Sequence, residues 1–407
     1  MLAEFPAILM LVGLAAYAVL AGADFGAGFW TLAARGGRAG AEATRDYARH
    51  AMGPVWEANH VWLIFVLVVC WTAYPAAFAS ILSTLSLPIF VAAIGIILRG
   101  ASYALRAQLD AAPGRRSIED VFALSSILTP FALGTVIGAI ASSRVPVGNA
   151  HGDPISSWLN PTSVAIGALF VATSSYLAAV YLAADARRRS EPDLERDFRR
   201  RAIGAGLVAG ALALAAPFVL RVDAPRIWSG LTAGGGLAMV VLSAAAGVST
   251  LVLVWRSRLA PARVSAALAV AAIVAGFGFA QQPELLPGLT IEEAAAGRPT
   301  LVAISVGAAA GAVVLVPSLS LLFGLFLRGH LEPEPCAERA APDPVAPARR
   351  PDRSQRLGAF ALACFVLGTG LVIFADVAWA HAVGVAALFA FAASGFVWVA
   401  VADPSAS

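Results

Sequence analysis

The stretch GPVWEANHVWLIF, residues 53–65, places three polar side chains between two tryptophans at the start of a long apolar run. Glu57 and His60 are three positions apart, so a helix would present them on one face, with Asn59 beside them. A carboxylate and an imidazole both exchange protons, and imidazole titrates near neutral pH. Ionisable groups inside a membrane are rare and usually mark ion or proton routes. The stretch therefore indicates a proton-handling site, provided that its helix enters a membrane.

The composition places the chain in a membrane. Apolar residues make up 59% of the 407 positions and charged residues 13%, whereas soluble domains are roughly 25% charged. A helix needs about 20 apolar residues to cross the hydrocarbon core. Such stretches lie near 5–28, 52–75, 77–98, 120–142, 162–184, 202–220, 231–255, 263–281 and 300–327, and then near 357–374 and 377–401. We predict an all-α integral membrane protein with nine transmembrane helices and an additional C-terminal two-helix hairpin.

The basic residues, all of them arginines, predict the orientation. The segments 31–51, 103–119, 185–201, 256–263 and 328–356 carry four, three, seven, three and six of the 28 basic residues. They are every second connection between the predicted spans, and short basic loops stay cytoplasmic. We therefore expect the N-terminus to lie outside and the C-terminus to be cytoplasmic. We expect the first span to be retained, because no basic leader precedes its apolar run and no clear small-residue cleavage site follows. The net charge of +3 then reflects loops at one membrane face and not a nucleic-acid surface.

The predicted orientation brings four charged or titratable residues of the first three spans to one membrane depth. They are Asp24, Glu57, His60 and Arg99. A second interpretation stays open. Glu57 could be a helix-start acid favoured by the helix dipole, the flanking tryptophans could be interfacial residues, and Asp24 with Arg99 could be a structural pair.

The histidines and cysteines do not form a pattern suited to a metal or haem. His60 is the one histidine inside the first nine predicted spans, and no two of the five histidines have a spacing that suggests two axial haem ligands. The three cysteines are scattered, without the spacing of a metal site or disulfide framework. We expect no metal and no haem on this chain.

Four motifs carry a resemblance to a known family. GPVWEANHVWLIF resembles the signature of subunit II of the cytochrome bd-type quinol oxidases, and three further stretches agree with that family in order and spacing. They are LAGADFGAGFW at 20–30, LRGASYALR at 98–106 and LLPGLTIEEAAAGRPTL at 285–301. The resemblance covers about residues 1–330.

The resemblance implies a fold of two four-helix bundles and one peripheral helix, which agrees with nine spans. It implies a heterodimer with a haem-bearing subunit I in a bacterial inner (plasma) membrane, where the assembly oxidises quinol and reduces oxygen to water. Haem b and haem d would belong to the partner subunit. A structural quinone could lie near this chain.

The resemblance also assigns residues. Glu57 falls on an acid that lines a proposed cytoplasmic proton path, with Asp24, His60 and Arg99 tuning or hydrating it. Trp56, Asn59, Trp62 and Arg106 fall on neighbouring motif positions, where a quinone could bind. Two family acids are replaced by Ala21 and Ala104, and His60 stands where Gln or Glu is usual.

The domain organisation follows from these boundaries. Residues 1–330 form the oxidase-like membrane domain, 331–356 a cytoplasmic linker rich in Pro, Ala and charge, and 357–407 an extra transmembrane hairpin. Two other functions fit the same polar residues. One is a proton-coupled secondary transporter, and the other is a non-catalytic assembly or stability protein.

Overall fold

The computed structural model describes residues 2–33, 44, 47–48, 56–106, 115–327, 359–368, 371 and 377–402. The side chains at 56–58, 103–106, 115–120, 316, 319–320, 322–327, 378, 392–393 and 395–402 are outside that description. The predicted linker 331–356 also lies outside the described residues. Contacts divide the chain into two units, Met1–Leu319 and Ser320–Ser407.

Nearly all of the regular structure is helical. The helices are α1 Glu4–Ala33, α2 Trp56–Ala73, α3 Pro75–Thr84, α4 Ser86–Arg106, α5 Arg115–Ala141, α6 Pro161–Arg188, α7 Pro192–Asp223, α8 Pro225–Leu231, α9 Gly234–Trp255, α10 Leu259–Gln281, α11 Ile291–Ala294 and α12 Arg298–Leu327. Strands β1 Glu284–Leu286 and β2 Leu289–Thr290 form a small antiparallel hairpin before α11. The second unit contains α13 Ala359–Gly368 and α14 Ala378–Ala402.

The long helices have the dimensions of membrane spans. By length and composition, 7 helices of the described chain could cross a membrane, or up to 8 if one bent pair counts as a single span. This finding supports a multi-pass membrane protein. The predicted number of nine transmembrane helices and the division into two four-helix bundles stay predictions.

The predicted continuous span 77–98 is wrong in its path. It consists of α3 and α4, which meet at Leu85 with a bend of 83°. Pro88 lies in the first turn of α4. A proline ring lacks the amide donor and clashes with the carbonyl four residues earlier, here that of Thr84, which favours a kink or break at the end of α3. Pro75 is the first residue of α3, a position where a helix tolerates proline because the missing amide would have no partner within the helix.

Small residues let α1, α5 and α6 pack closely against one another. A Cβ at Gly26 would lie 1.9 Å from the carbonyl oxygen of Ser174 on α6. A Cβ at Gly138 of α5 would lie 2.3 Å from Cα of Ser163 on α6. Without a strong hydrophobic drive between helices in lipid, such close approach supplies much of the packing energy. Helix α1 is thereby held among α2, α5 and α6.

A capping box starts the short helix after the β-hairpin. The amide nitrogen and hydroxyl of Thr290 donate to Oε2 of Glu293 at 2.9 and 2.8 Å, and the Glu293 amide donates to the Thr290 hydroxyl at 3.2 Å. The two hydrogen bonds that the carboxylate accepts from Thr290 hold the pKa of the Glu293 carboxyl below its ordinary value of 4.5, and the bond from the backbone amide has the larger effect.

Candidate functional site

A buried ion pair joins α1 to α4. Arg99 donates from Nε to Oδ2 of Asp24 at 2.9 Å and from Nη2 to Oδ1 at 2.7 Å. Both side chains have 0% of their surface exposed. The two parallel bonds match the planar fork of a guanidinium to both oxygens of a carboxylate.

Further contacts extend this pair to α5. Arg99 also donates from Nη2 to the backbone carbonyl of Asp24 at 2.7 Å and from Nη1 to Oγ of Ser126. The rings of Phe25 and Phe122 lie 5.4 and 4.3 Å from the guanidinium carbon. Gly28 leaves the necessary room, since a Cβ there would be 2.0 Å from the Ser126 oxygen. Three helices are thus joined around one desolvated cation.

A second polar pair, Tyr17 with His60, lies beside Phe25. Oη of Tyr17 and Nδ1 of His60 are 3.4 Å apart, and both side chains are buried. The His60 ring centroid lies 5.9 Å from that of Tyr17 and 5.8 Å from that of Phe25. Phe25 therefore contacts both His60 and Arg99. The hydroxyl and the imidazole can share a proton, and the Phe25 ring links this pair to the ion pair by contacting both His60 and Arg99.

Two other predicted residues position α2 against α1. The Asn59 amide donates to the backbone carbonyl of Leu20 at 3.3 Å. Trp62 is half-buried and packs against the cluster formed by Tyr17, Ala21 and Phe25. Ala21, where the resemblance implies an acid, is thus an apolar contact at the centre of this cluster.

Sequence reasoning missed Tyr17, Phe25 and Ser126. A usable signal existed for the first two, because Tyr17, Ala21 and Phe25 recur at intervals of four and so share one face of α1. Ser126 carried no such signal, since a serine in an apolar helix commonly bonds its own backbone. Ser126 does so here, donating to the carbonyl of Phe122 at 2.6 Å.

Three predicted side chains fall outside the described residues. Trp56 and Glu57 occupy the first turn of α2, and Arg106 is the last residue of α4, but only their place in the helix is described. Their roles, like those of Asp24, His60 and Arg99 in proton transfer, stay predictions.

The described residues do not fit a haem ligand at His60. Its Nε2 is buried, and its ring lies against Tyr17 and Phe25, so a porphyrin would have to displace these packed aromatic side chains. Within the described ranges, no group of three or more His, Cys, Asp or Glu side chains could hold a metal ion.

Comparison with known proteins identifies relatives of the chain. The model of the family described as cytochrome bd terminal oxidase subunit II matches residues 2–326. The cytochrome bd ubiquinol oxidase subunit 2 of Bacillus subtilis (strain 168) is 28% identical over 129 residues, which are 32% of this chain and 37% of that protein. A second protein of the same strain, provisionally named a cytochrome bd menaquinol oxidase subunit II, is 23% identical over 219 residues, 53% of this chain and 61% of the relative. The alignments thus span less than two thirds of either relative.

A solved structure extends the likeness to most of the fold. One chain in the structure of bd oxidase from Geobacillus thermodenitrificans superposes with a TM-score of 0.65 and 26% identity, over 80% of this chain and 98% of that chain. The family match, the helical membrane fold and the four motifs agree. The chain belongs to the cytochrome bd terminal oxidase subunit II family.

Proposed function

We propose that this chain is subunit II of a membrane oxidase that oxidises quinol and reduces oxygen to water. The observation that carries the proposal is the structural match, which covers 98% of a chain of a bd oxidase. The similarity extends over nearly the whole length of the solved chain, whereas a shared local motif would match only a part of that chain. This supports the same role for the two chains within an oxidase assembly. In this role the chain holds a haem-bearing partner, subunit I, in a heterodimer.

The proposal assigns a cytoplasmic proton path to the first two helices. Glu57 and His60 exchange protons, and the ion pair of Asp24 with Arg99 sets the local field. The geometry of the ion pair supports giving Asp24 an electrostatic role and not a proton-exchanging one, because both oxygens of its carboxylate accept hydrogen bonds from Arg99. Such a carboxylate is poorly placed to accept a proton, whereas an imidazole beside the Tyr17 hydroxyl can relay one.

The cofactors and orientation belong to the same proposal. Haem b and haem d reside on the partner subunit and supply the electron transfer and oxygen chemistry. A quinone would lie near Trp56, Asn59, Trp62 and Arg106. The N-terminus faces outward and the arginine-rich loops face the cytoplasm of a bacterial plasma membrane. Residues 331–356 link the membrane domain, 1–330, to the transmembrane hairpin, 357–407.

The test of the assembly is a pull-down of the tagged chain from its native membrane in mild detergent, followed by a dithionite-reduced minus oxidised spectrum. We expect a second large membrane subunit with bands of haem b and haem d in stoichiometric amounts. A colourless preparation without a partner would refute the oxidase function and direct attention to proton-coupled transport.

The test of the proton path is Glu57→Gln, which keeps the size of the side chain and removes its proton exchange. We expect normal haem content and oxygen consumption lowered roughly 100-fold, the lower end of what a positioned proton donor contributes. Glu292→Gln is the matched control, since Glu292 is exposed in the segment after the β-hairpin. Unchanged turnover in the assembled Glu57 variant would remove Glu57 from the path.

A further inference from the structure

A basic corner is formed where α6 ends, α7 begins and α9 meets α10. The segments 185–201 and 256–263 together contain ten arginines and five carboxylates. Three of the carboxylates are already ion-paired within 185–201: Asp185 with Arg188 and Arg189, Asp193 with Arg196, and Asp197 with Arg201. The corner therefore carries an excess of positive charge.

Two of the arginines converge on the end of α9. Arg199 donates from Nε to the carbonyl of Val254 at 3.1 Å and from Nη2 to that of Trp255 at 2.9 Å. Arg187 donates from Nη1 to the carbonyl of Ser257. The three carbonyls lie within residues 254–257, at and just after the end of α9, so both guanidinium groups lie at that end. These bonds fix both arginine side chains at the end of α9.

Two more arginines stand beside this pair on an exposed turn. Arg256 and Arg258 flank Ser257, and both are exposed. Among the residues described, neither has a carboxylate within the 4.0 Å of an ion pair. Their charges are therefore available to an anion that approaches the end of α9.

The surface next to these arginines is apolar. Trp255 is 71% exposed, and Val252 and Val248, one and two turns away on α9, are 41% and 62% exposed. Val264 on α10 is 71% exposed. An exposed tryptophan between basic residues and a row of valines is typical of the level where headgroups meet acyl chains.

We infer that this corner binds one anionic phospholipid, with its phosphate at Arg187, Arg199, Arg256 and Arg258 and its acyl chains along α9. Guanidinium groups pair with phosphate oxygens through two parallel hydrogen bonds, and basic pockets between membrane helices bind anionic headgroups. A free phosphate ion would use the arginines but not the valines. The adjoining apolar surface therefore selects the lipid.

The experiment titrates the purified full-length assembly with phosphatidylglycerol that carries a fluorophore in its acyl chain, and with phosphatidylcholine as the neutral comparison. The test variant is Arg256→Gln with Arg258→Gln, because neither side chain makes an internal ion pair in the described structure. The control is Arg221→Gln with Arg298→Gln, two exposed arginines from other segments. Retained thermal unfolding temperature shows that both variants fold.

We expect the test variant to weaken phosphatidylglycerol binding roughly 30-fold, from the contribution of each basic residue near an anionic headgroup, and the control to leave it unchanged. The affinity of the unmodified protein should fall with salt. Equal loss in both variants, no loss in either, or equally tight binding of phosphatidylcholine would overturn the inference. Displacement of the lipid by an equal concentration of inorganic phosphate would assign the arginines to a free anion instead.

Discussion

The buried ion pair makes a quantitative prediction about stability. Asp24→Asn would remove the Asp24 carboxylate from the fully buried Arg99 cation, while the shape of the site would change little. The guanidinium would keep the Ser126 oxygen, the backbone carbonyl at position 24 and two aromatic rings as neighbours. None of these neutral groups carries a compensating charge.

The size of the effect follows from burial. Both side chains are fully buried, and removing one partner of such a pair typically costs about 3–5 kcal/mol, because the remaining charge stays desolvated. Replacing both residues, as in Asp24→Asn with Arg99→Met, removes the uncompensated charge as well. We therefore expect the double variant to be more stable than Asp24→Asn alone.

The assay is unfolding of the purified protein by titration with sodium dodecyl sulfate, followed by circular dichroism. Asp193→Asn is the control, since the ion pair of Asp193 with Arg196 is largely exposed and such pairs contribute about 0–1 kcal/mol. If Asp24→Asn lowered the free energy of unfolding no more than Asp193→Asn does, the argument from desolvation would be wrong. A double variant less stable than Asp24→Asn would also contradict it.

Two further predictions concern packing and pH. Gly26→Ala should destabilise the protein by about 1–3 kcal/mol or more, because its Cβ would meet the backbone of Ser174. Gly204→Ala should be nearly neutral in the same detergent titration, since nothing lies within 4 Å of its Cβ, and equal losses would refute the packing argument. The lowered pKa of Glu293 means that its ionised carboxylate stabilises the folded protein. This contribution is complete when the pH is above the ordinary pKa of 4.5, and it is lost as the pH falls through the lower pKa of the folded state. The unfolding temperatures of the natural protein and of Glu293→Ala should therefore differ at pH 7 and converge progressively as the pH falls below 4.5, and a constant difference would exclude the Thr290 hydrogen bonds as its cause.

Much of the fold could be predicted because membrane helices follow local rules. A run of about 20 apolar residues must satisfy its own backbone in lipid, and a helix does so within one segment. The stretches near 120–142 and 162–184 accordingly appear as α5 Arg115–Ala141 and α6 Pro161–Arg188. The multi-pass membrane character and the family resemblance are confirmed. The prediction of one continuous span at 77–98 was wrong, because an average hydropathy does not register Pro88. The steric effect of that proline is confined to the turn before it.

The sequence by itself predicted which residues could carry chemistry and at which membrane depth they would lie, and both stay predictions. Composition, helical periodicity and the arginine pattern were enough to bring Asp24 and Arg99 to one predicted level. Only the tertiary structure decided that their side chains meet, that Phe25 contacts both His60 and Arg99, and that Tyr17 and Ser126 complete the surroundings. Rotation of each helix about its axis depends on close approach at residues such as Gly26 and Gly28. That approach involves contacts between segments far apart in the chain, and no local pattern encodes them.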